Sequence, residues 1–235
     1  MNKPRLLDLF CGAGGASMGY HRGGFEVVGV DIESQPHYPF EFHQADALTY
    51  PLDGFNAYHA SPPCQAYTRA FSPLLGYRKE HPDLLAKTRD YLAATGKPFV
   101  LENVPLAPMF NYIKLNGTQF GLKTKKERLF ELHGFEILFL PTPFAKTAGM
   151  VKSGALVGLV QHSYYPDEKI PNRENLAAAY SIDWGLTRYE LRQAIPPAYT
   201  EYIGGYLMRA ITLKPKGDSE PPYPLQRGRF KSSVS

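Results

Sequence analysis

"RLLDLFCGAGGASMGYHRGGFEVVGVDI" spans residues 5–32, and the order of its parts decides the fold. An apolar run (5–10) meets a glycine-rich turn. A short helical stretch follows, closed by two glycines, and then a Val-rich run that ends at Asp31. Two apolar runs joined through a helix read as a parallel strand pair, because a parallel crossover needs a dozen residues or more. The same alternation continues outward. "QADAL" (44–48) reads as a short third element, "FNAYHASPP" (55–63) as a fourth strand entering a rigid turn, "DLLAKTRDYLAATG" (83–96) as a helix with a Gly stop, and "PFVLENV" (98–104) as a fifth strand. The expected class is α/β: a doubly wound, Rossmann-like, mostly parallel sheet with helices on both faces. Beyond it the pattern loosens. "FGLKTKKERLFELHGFEILFL" (120–140) reads as paired strands and "ENLAAAY" (174–180) as a short helix. "PPAYTEYIGGYLMRAI" (196–211) reads as a helix that starts at Pro, with Gly204 and Gly205 implying close packing. The Pro- and charge-rich stretch 214–235 has little to bury and is expected to be disordered.

Composition sets the outer limits. The chain has 235 residues, 43% of them hydrophobic, which suits one α/β domain or one domain with a small lobe. No run of eighteen apolar residues occurs, so no membrane span is expected. "MNKPRLLDLF" enters a strand-like run directly, so no secretory signal is expected. Two cysteines make no disulfide framework, which points to an intracellular protein. The net charge of +4 is compatible with an anionic partner such as nucleic acid but does not require one. The 16 Tyr and 14 Phe suit stacking surfaces and a core equally well.

The glycine turn lies where a doubly wound sheet binds ligands, beyond the carboxyl ends of its strands. Gly12, Gly14 and Gly15 allow a tight turn and close approach of a ligand to the backbone. Asp31 ends the second strand about twenty residues on, where a carboxylate can accept hydrogen bonds from both ribose hydroxyls. Asp46 could hold an adenine amino group or shape the pocket. These features point to a nucleoside-bearing cofactor, and the turn alone does not separate NAD from S-adenosylmethionine.

In "ASPPCQAY" (60–67), Pro62 and Pro63 fix φ at successive residues and stiffen the loop that presents Cys64. A nucleophile must be aimed; a small buried hydrophobe, the other reading of Cys64, need not be. A nucleophilic thiol is expected to have its pKa lowered by local donors or a helix N-terminus. No metal is expected, because the seven histidines show no ligand spacing with either cysteine. Cys11, inside the glycine turn, reads as packing. Glu102 ends the fifth strand on the same sheet edge as Cys64. A carboxyl beside a pocket there can stay protonated or share a proton with a ring nitrogen.

Together these stretches resemble the DNA cytosine-5 methyltransferase family. "DLFCGAGGASMG" resembles its cofactor motif, "SPPCQAY" its Pro-Cys-Gln motif, and "ENV" matches its Glu-Asn-Val motif. "TKKERLFEL" resembles the segment that the family usually writes with Gln and two Arg, and "RQAIPPAYTEYIGGYL" its closing motif. The motifs run in family order over roughly residues 5–131 and 174–211. The resemblance implies an S-adenosylmethionine-dependent methyltransferase fold acting on a cytosine flipped out of double-stranded DNA. It implies that Cys64 adds to carbon 6, Glu102 supports the ring at N3, and Arg128 holds the carbonyl. Lys126 takes the other basic place, and Gln65 belongs to the substrate side. Phe10, Gly12, Gly14, Asp31, Ile32 and Asp46 surround the cofactor, and Pro63 lines the pocket between cofactor and base. Three departures stand out. Lys126 replaces an Arg and loses its planar fork, Thr124 replaces Gln, and Gln193 stands for the Asn that touches the cofactor's amino-acid end.

The resemblance also divides the chain. Residues 1–131 form the catalytic and cofactor-binding core, and 132–173 a reduced target-recognition segment. Residues 174–213 are helices that return to the core, and 214–235 the tail. Lys146, Lys152, His162, Tyr164 and Tyr165 in the short segment could contact phosphates or stack on bases. So small a segment implies a short or relaxed target, or a partner protein that aids recognition. The setting it implies is the cytoplasm of a prokaryotic or phage-infected cell. Two other readings stay open: a DNA-binding homologue without turnover, and a related enzyme acting on RNA or a nucleotide.

Overall fold

The structure, a computed structural model, describes residues 2–67, 83–142 and 172–213. Seven strands form one sheet: β1 (Arg5–Leu9), β2 (Glu26–Asp31), β3 (Glu41–Gln44), β4 (Ala57–Ala60), β5 (Phe99–Asn103), β6 (Tyr112–Leu115) and β7 (Arg128–His133). Their spatial order is β3-β2-β1-β4-β5-β7-β6. Strands β1 to β5 run parallel, and β7 lies antiparallel to both β5 and β6. Among the described residues five α-helices accompany the sheet: α1 (Gly15–Arg22), α2 (Leu85–Ala93), α3 (Arg173–Tyr180), α4 (Arg188–Gln193) and α5 (Pro197–Thr212). This is the doubly wound class expected from the sequence.

Strand alternation sorts the core into two layers. Leu7, Leu9, Val28, Val30, Tyr58, Ala60, Phe99 and Leu101 pack on the face that carries Leu85 and Leu92 of α2. Leu6, Val27, Ala57, Val100 and Phe130 pack on the other, with Ala16 and Tyr20 of α1 and Tyr199, Ile203 and Leu207 of α5. Helices α3 and α4 make a third cluster with Ala13 of the glycine turn. The strand order reverses between β1 and β4, so the loops leaving those strands diverge and open a crevice. The glycine turn leaves β1, and the Pro-Pro-Cys loop leaves β4.

Three expectations need correction. The third element is β3 at Glu41–Gln44, and Asp46 sits in the turn after it. Over 120–140 only β7 is a strand; it pairs with β5 and with β6, not with a strand made from the residues that follow. Helix α4 was not anticipated. Its signal is the capping box at Thr187, whose hydroxyl accepts from Glu190 N–H while the Glu190 carboxylate accepts from Thr187 N–H. Residues 143–171, which include Lys146, Lys152, His162, Tyr164 and Tyr165, and the tail 214–235 lie outside the described residues.

Candidate active site

Backbone geometry at the end of β1 is unusual. Phe10 has φ 57°, a left-handed conformation uncommon for a residue with a side chain, and Gly12 and Gly14 follow at φ 48° and 88°. A Cβ at Gly14 would lie 2.7 Å from Pro39, so the turn is closed on that side. A Cβ at Gly12 would meet nothing within 4 Å, which leaves open space over the turn where a ligand can approach the backbone. Asp31 holds this turn: its carboxylate accepts from Gly12 N–H at 2.9 Å and from Glu33 N–H at 3.0 Å. Each oxygen keeps a further lone pair for a hydroxyl. Ile32, 65% exposed, follows Asp31, and Asp46 is placed beside them by the bond from Ala45 N–H to Asp31 O at 3.0 Å. The Asp46 carboxylate accepts from Leu48 N–H at 2.9 Å. The sequence-predicted cofactor residues Phe10, Gly12, Gly14, Asp31, Ile32 and Asp46 thus gather at the carboxyl ends of β1, β2 and β3. Their carboxylates, open glycine and exposed apolar side chain fit a ribose and an adenine.

Gly15 faces the returning C-terminal segment, where its Cβ would fall 2.5 Å from Ile195 O. That contact fixes Gln193, exposed at the end of α4, two residues before the point where the chain meets the glycine turn. Trp184 Nε1 donates to Ala13 O at 3.2 Å and lies against the same turn. Its link to the site had no signal in the sequence.

On the neighbouring strand ends, Pro62 is buried and Pro63, Cys64 and Gln65 are half-buried, with a short 3-10 turn over Gln65–Tyr67. Asn103 holds this loop. Its Nδ2 donates to Pro62 O at 3.1 Å, and its Oδ1 accepts from Val104 N–H at 2.9 Å. Nothing in "ENV" as a sequence signals this task for the Asn. Glu102, beside it on β5, is 5% exposed and pairs with Arg128 of β7, whose Nε lies 2.9 Å from Glu102 Oε1. The pairing follows from register, since Glu102 sits opposite Phe130, two residues from Arg128. Cys64, Glu102 and Arg128 come together at one sheet edge: their charges act on one another.

The electrostatics correct one expectation. The Cys64 thiol is pushed up from its ordinary pKa, not down. Burial is the largest cause, the Glu102 charge adds to it, and Arg128 and Lys126 draw it back only in part. Glu102 is also raised, by burial, against the pull of Arg128, the Ser61 hydroxyl and Lys126. A raised carboxyl keeps its proton to a higher pH, and a protonated Glu102 no longer opposes thiolate formation at Cys64.

Lys126 has a different place from the substrate side expected for it. It is 2% exposed, and its ammonium donates to Arg192 O at 2.8 Å and Ala194 O at 2.6 Å, with the Tyr180 ring 4.8 Å away. Burial draws its pKa well below the usual lysine range. The two carbonyls flank Gln193, so Lys126 ties the segment before β7 to the segment that meets the glycine turn. Among the described residues no group of three or more His, Cys, Asp or Glu could hold a metal ion, and no helix is long and apolar enough to cross a membrane.

No protein-family model matches the chain, and no curated protein does. Solved structures do. A Dnmt2 methyltransferase of S. pombe superposes with TM-score 0.56 at 13% identity, over 88% of this chain and 99% of the other. The Entamoeba histolytica methyltransferase EhMeth gives 0.53 at 14% identity, over 92% and 100%. An E. coli prophage protein, described as a DNA modification methyltransferase, gives 0.44 at 19% identity, and the chain spans 54% of its length. At these identities the likeness is one of fold: the chain is similar in architecture to methyltransferases, with its thiol, carboxyl and glycine turn around the crevice that this architecture opens.

Proposed function

We propose that the protein transfers a methyl group from S-adenosylmethionine to carbon 5 of a cytosine in double-stranded DNA. The observation that carries this reading is the convergence of Cys64, Glu102 and Arg128 at the sheet edge next to the Gly12–Asp31 turn. A cytosine ring carbon is a poor nucleophile, and a covalent thiol adduct is the means of activating it. The Cys64 sulfur bonds to carbon 6, and the ring electrons shift to carbon 5. Glu102, with its proton held by burial, donates to N3 and stabilises the charge that develops there. Arg128 holds the base carbonyl and keeps Glu102 in place. S-adenosylmethionine supplies the electrophilic methyl group that carbon 5 takes. A base, water included, then removes the carbon 5 proton, and the electron pair of that C–H bond expels Cys64 as thiolate. Asp31 binds the cofactor ribose, Ile32 and Asp46 flank its adenine, Phe10, Gly12 and Gly14 form its floor, and Gln193 reaches its amino-acid end. Pro63 separates cofactor from base, and Gln65, Lys146 and Lys152 belong to the DNA side. A partner protein that aids target recognition remains part of the proposal because the recognition segment is short.

The test uses labelled S-adenosylmethionine with duplex DNA that contains 5-fluorocytosine, and a matching 5-fluorocytosine RNA. Fluorine cannot leave as a proton does, so the methylated adduct stays bonded to Cys64. The expected result is a labelled protein–DNA adduct that is absent with Cys64→Ser. An adduct on RNA alone would overturn the DNA substrate. Cofactor binding without any adduct would overturn the activity.

A further inference from the structure

The glycine turn lies between two walls, and one bond joins them. On one side stand Tyr38 and Pro39, which a Cβ at Gly14 would meet at 3.1 and 2.7 Å. On the other stand Ala194 and Ile195: a Cβ at Gly15 would lie 3.1 Å from the Ala194 Cβ and 2.5 Å from Ile195 O. The first wall is anchored below, since the Tyr38 hydroxyl donates to Ser17 Oγ at 2.8 Å and Ser17 donates to the buried Asp8 carboxylate. The second is anchored by Lys126, through the carbonyls of Arg192 and Ala194. His37, next to Tyr38, reaches from one wall to the other: its Nδ1 lies 2.9 Å from Glu190 Oε1. Among the described residues this is the one hydrogen bond between residues 33–40 and α4.

The acceptor of that bond is held in place. Glu190 Oε2 accepts from Thr187 N–H at 2.6 Å, which fixes the carboxylate at the first turn of α4. An ionised carboxylate only accepts, so His37 Nδ1 carries the proton and donates. Asp31 and Ile32 lead into the segment that holds His37, and Glu190 lies one turn before Gln193. The bond therefore joins the segment leaving the ribose side of the cofactor site to the helix whose end carries Gln193. We propose that His37 is a positioning residue for the cofactor: its bond to Glu190 clasps the β2–β3 segment to α4 and holds Gln193 beside the glycine turn. The clasp rests on the cofactor site proposed above and not on the choice of base. His37 is 39% exposed, so solvent weakens the bond, and its effect comes from the two segments it joins.

Two variants test it. His37→Ala removes the donor, and His37→Asn keeps one, because the Asn Nδ2 takes the place of the His Nδ1. In the protein without cofactor, amide exchange by NMR reads Leu191 and Ala194, whose N–H groups bond Thr187 O and Glu190 O. Both are expected to exchange faster in His37→Ala and at the parent rate in His37→Asn. Met18 of α1, bonded to Gly14 O, keeps its rate in either. Calorimetric titration with S-adenosylmethionine is expected to give a Kd about fivefold weaker for His37→Ala, the worth of one partly exposed hydrogen bond, and close to the parent for His37→Asn. In methylation assays the KM for S-adenosylmethionine follows the Kd, and kcat at saturation keeps its value. An unchanged Kd in His37→Ala, or equal losses in the two variants, would overturn the clasp. A parent protein that binds no S-adenosylmethionine would overturn the cofactor site and the clasp with it. The full exchange and binding signature without methylation of any substrate would uphold the clasp and overturn the methyl-transfer reading alone.

Discussion

At the scale of single residues, the reactivity of Cys64 is set first by its burial and then by its neighbours' charges. Its thiol is raised chiefly by burial and next by Glu102, and lowered by Arg128 and Lys126. In the free protein, alkylation by iodoacetamide should therefore be slower at pH 7 than for an exposed cysteine, and should rise with pH as thiolate forms. At a pH above the raised Glu102 pKa, where its carboxylate is ionised, Glu102→Gln removes a negative charge and should speed alkylation several-fold. Arg128→Met removes a positive one and should slow it. Mass spectrometry separates Cys64 from Cys11, which is 8% exposed and has its own thiol raised well above the usual range. Equal rates in all three proteins would mean that these charges do not reach the sulfur. Lys126 obeys a rule of the same kind. Met at this position fills the space but leaves the carbonyls of Arg192 and Ala194 without a donor, so Lys126→Met should cost about 2–4 kcal/mol of stability in urea unfolding. A change within about 0.5 kcal/mol would show those carbonyls to be satisfied by water. Its burial was hard to read in advance, because "KTKKER" looks like a solvated basic run. Alternation is the only clue: Leu122, Thr124 and Lys126 face in, and Lys123, Lys125 and Glu127 face out.

At the scale of elements, the contact between α1 and α5 holds the glycine turn against the C-terminal segment. A Cβ at Gly19 would overlap Thr200 Oγ1 and Pro197 O, and the Thr200 hydroxyl already donates to Ala16 O at 2.8 Å. Gly19→Ala should therefore destabilise the fold by about 3 kcal/mol or more, since backbone must move. The Gly-Gly pair of α5 divides. A Cβ at Gly204 meets Tyr20 at 3.3 Å, whereas one at Gly205 meets nothing within 4 Å. Gly205→Ala should stabilise by about 0.5–1 kcal/mol through helix propensity alone. Thermal melting of the two variants gives shifts of opposite sign if the helices pack as described. The close packing implied by "IGGY" is real, but its tightest point is Gly19, on the partner helix, where one glycine among many gives no sign of its neighbour. Strands β1, β2, β4 and β5 were legible because apolar residues make up most of each and nearly all of each is buried. Strand β6, "YIKL", was not. It is short, mostly exposed, and exists only because β7 pairs with it. Non-local pairing of that kind leaves little trace in a local pattern.

At the scale of the whole molecule, the sheet buries ionisable groups on the α1 face, and their opposed titrations shape its stability. Asp8 on β1 is fully buried, accepts from Ser17, and has its carboxyl raised to about 7, mainly by burial and further by Asp31 and Glu102. A carboxyl whose folded pKa lies above its unfolded value stabilises fully below the unfolded value, and the benefit is lost as pH rises toward 7. His59, its neighbour in register, is lowered to about 3, and its contribution is present above the unfolded histidine value and lost as pH falls toward 3. Between pH 4 and 6.5 the two slopes are opposite, each close to 1.4 kcal/mol per pH unit, and they offset one another. Asp8→Asn keeps an oxygen for Ser17, removes one slope and leaves the other. Relative to the parent, the variant should lose about 3 kcal/mol of unfolding free energy between pH 6.5 and pH 4.5, measured by urea titration. Glu131, lowered to about 2 by hydrogen bonds from His133, Arg89 and Phe110 N–H that outweigh its burial, titrates identically in both proteins and cancels from the difference. Parallel pH curves for the two proteins would show that Asp8 ionises in the fold as it does in the unfolded chain, and the offset between β1 and β4 would be absent.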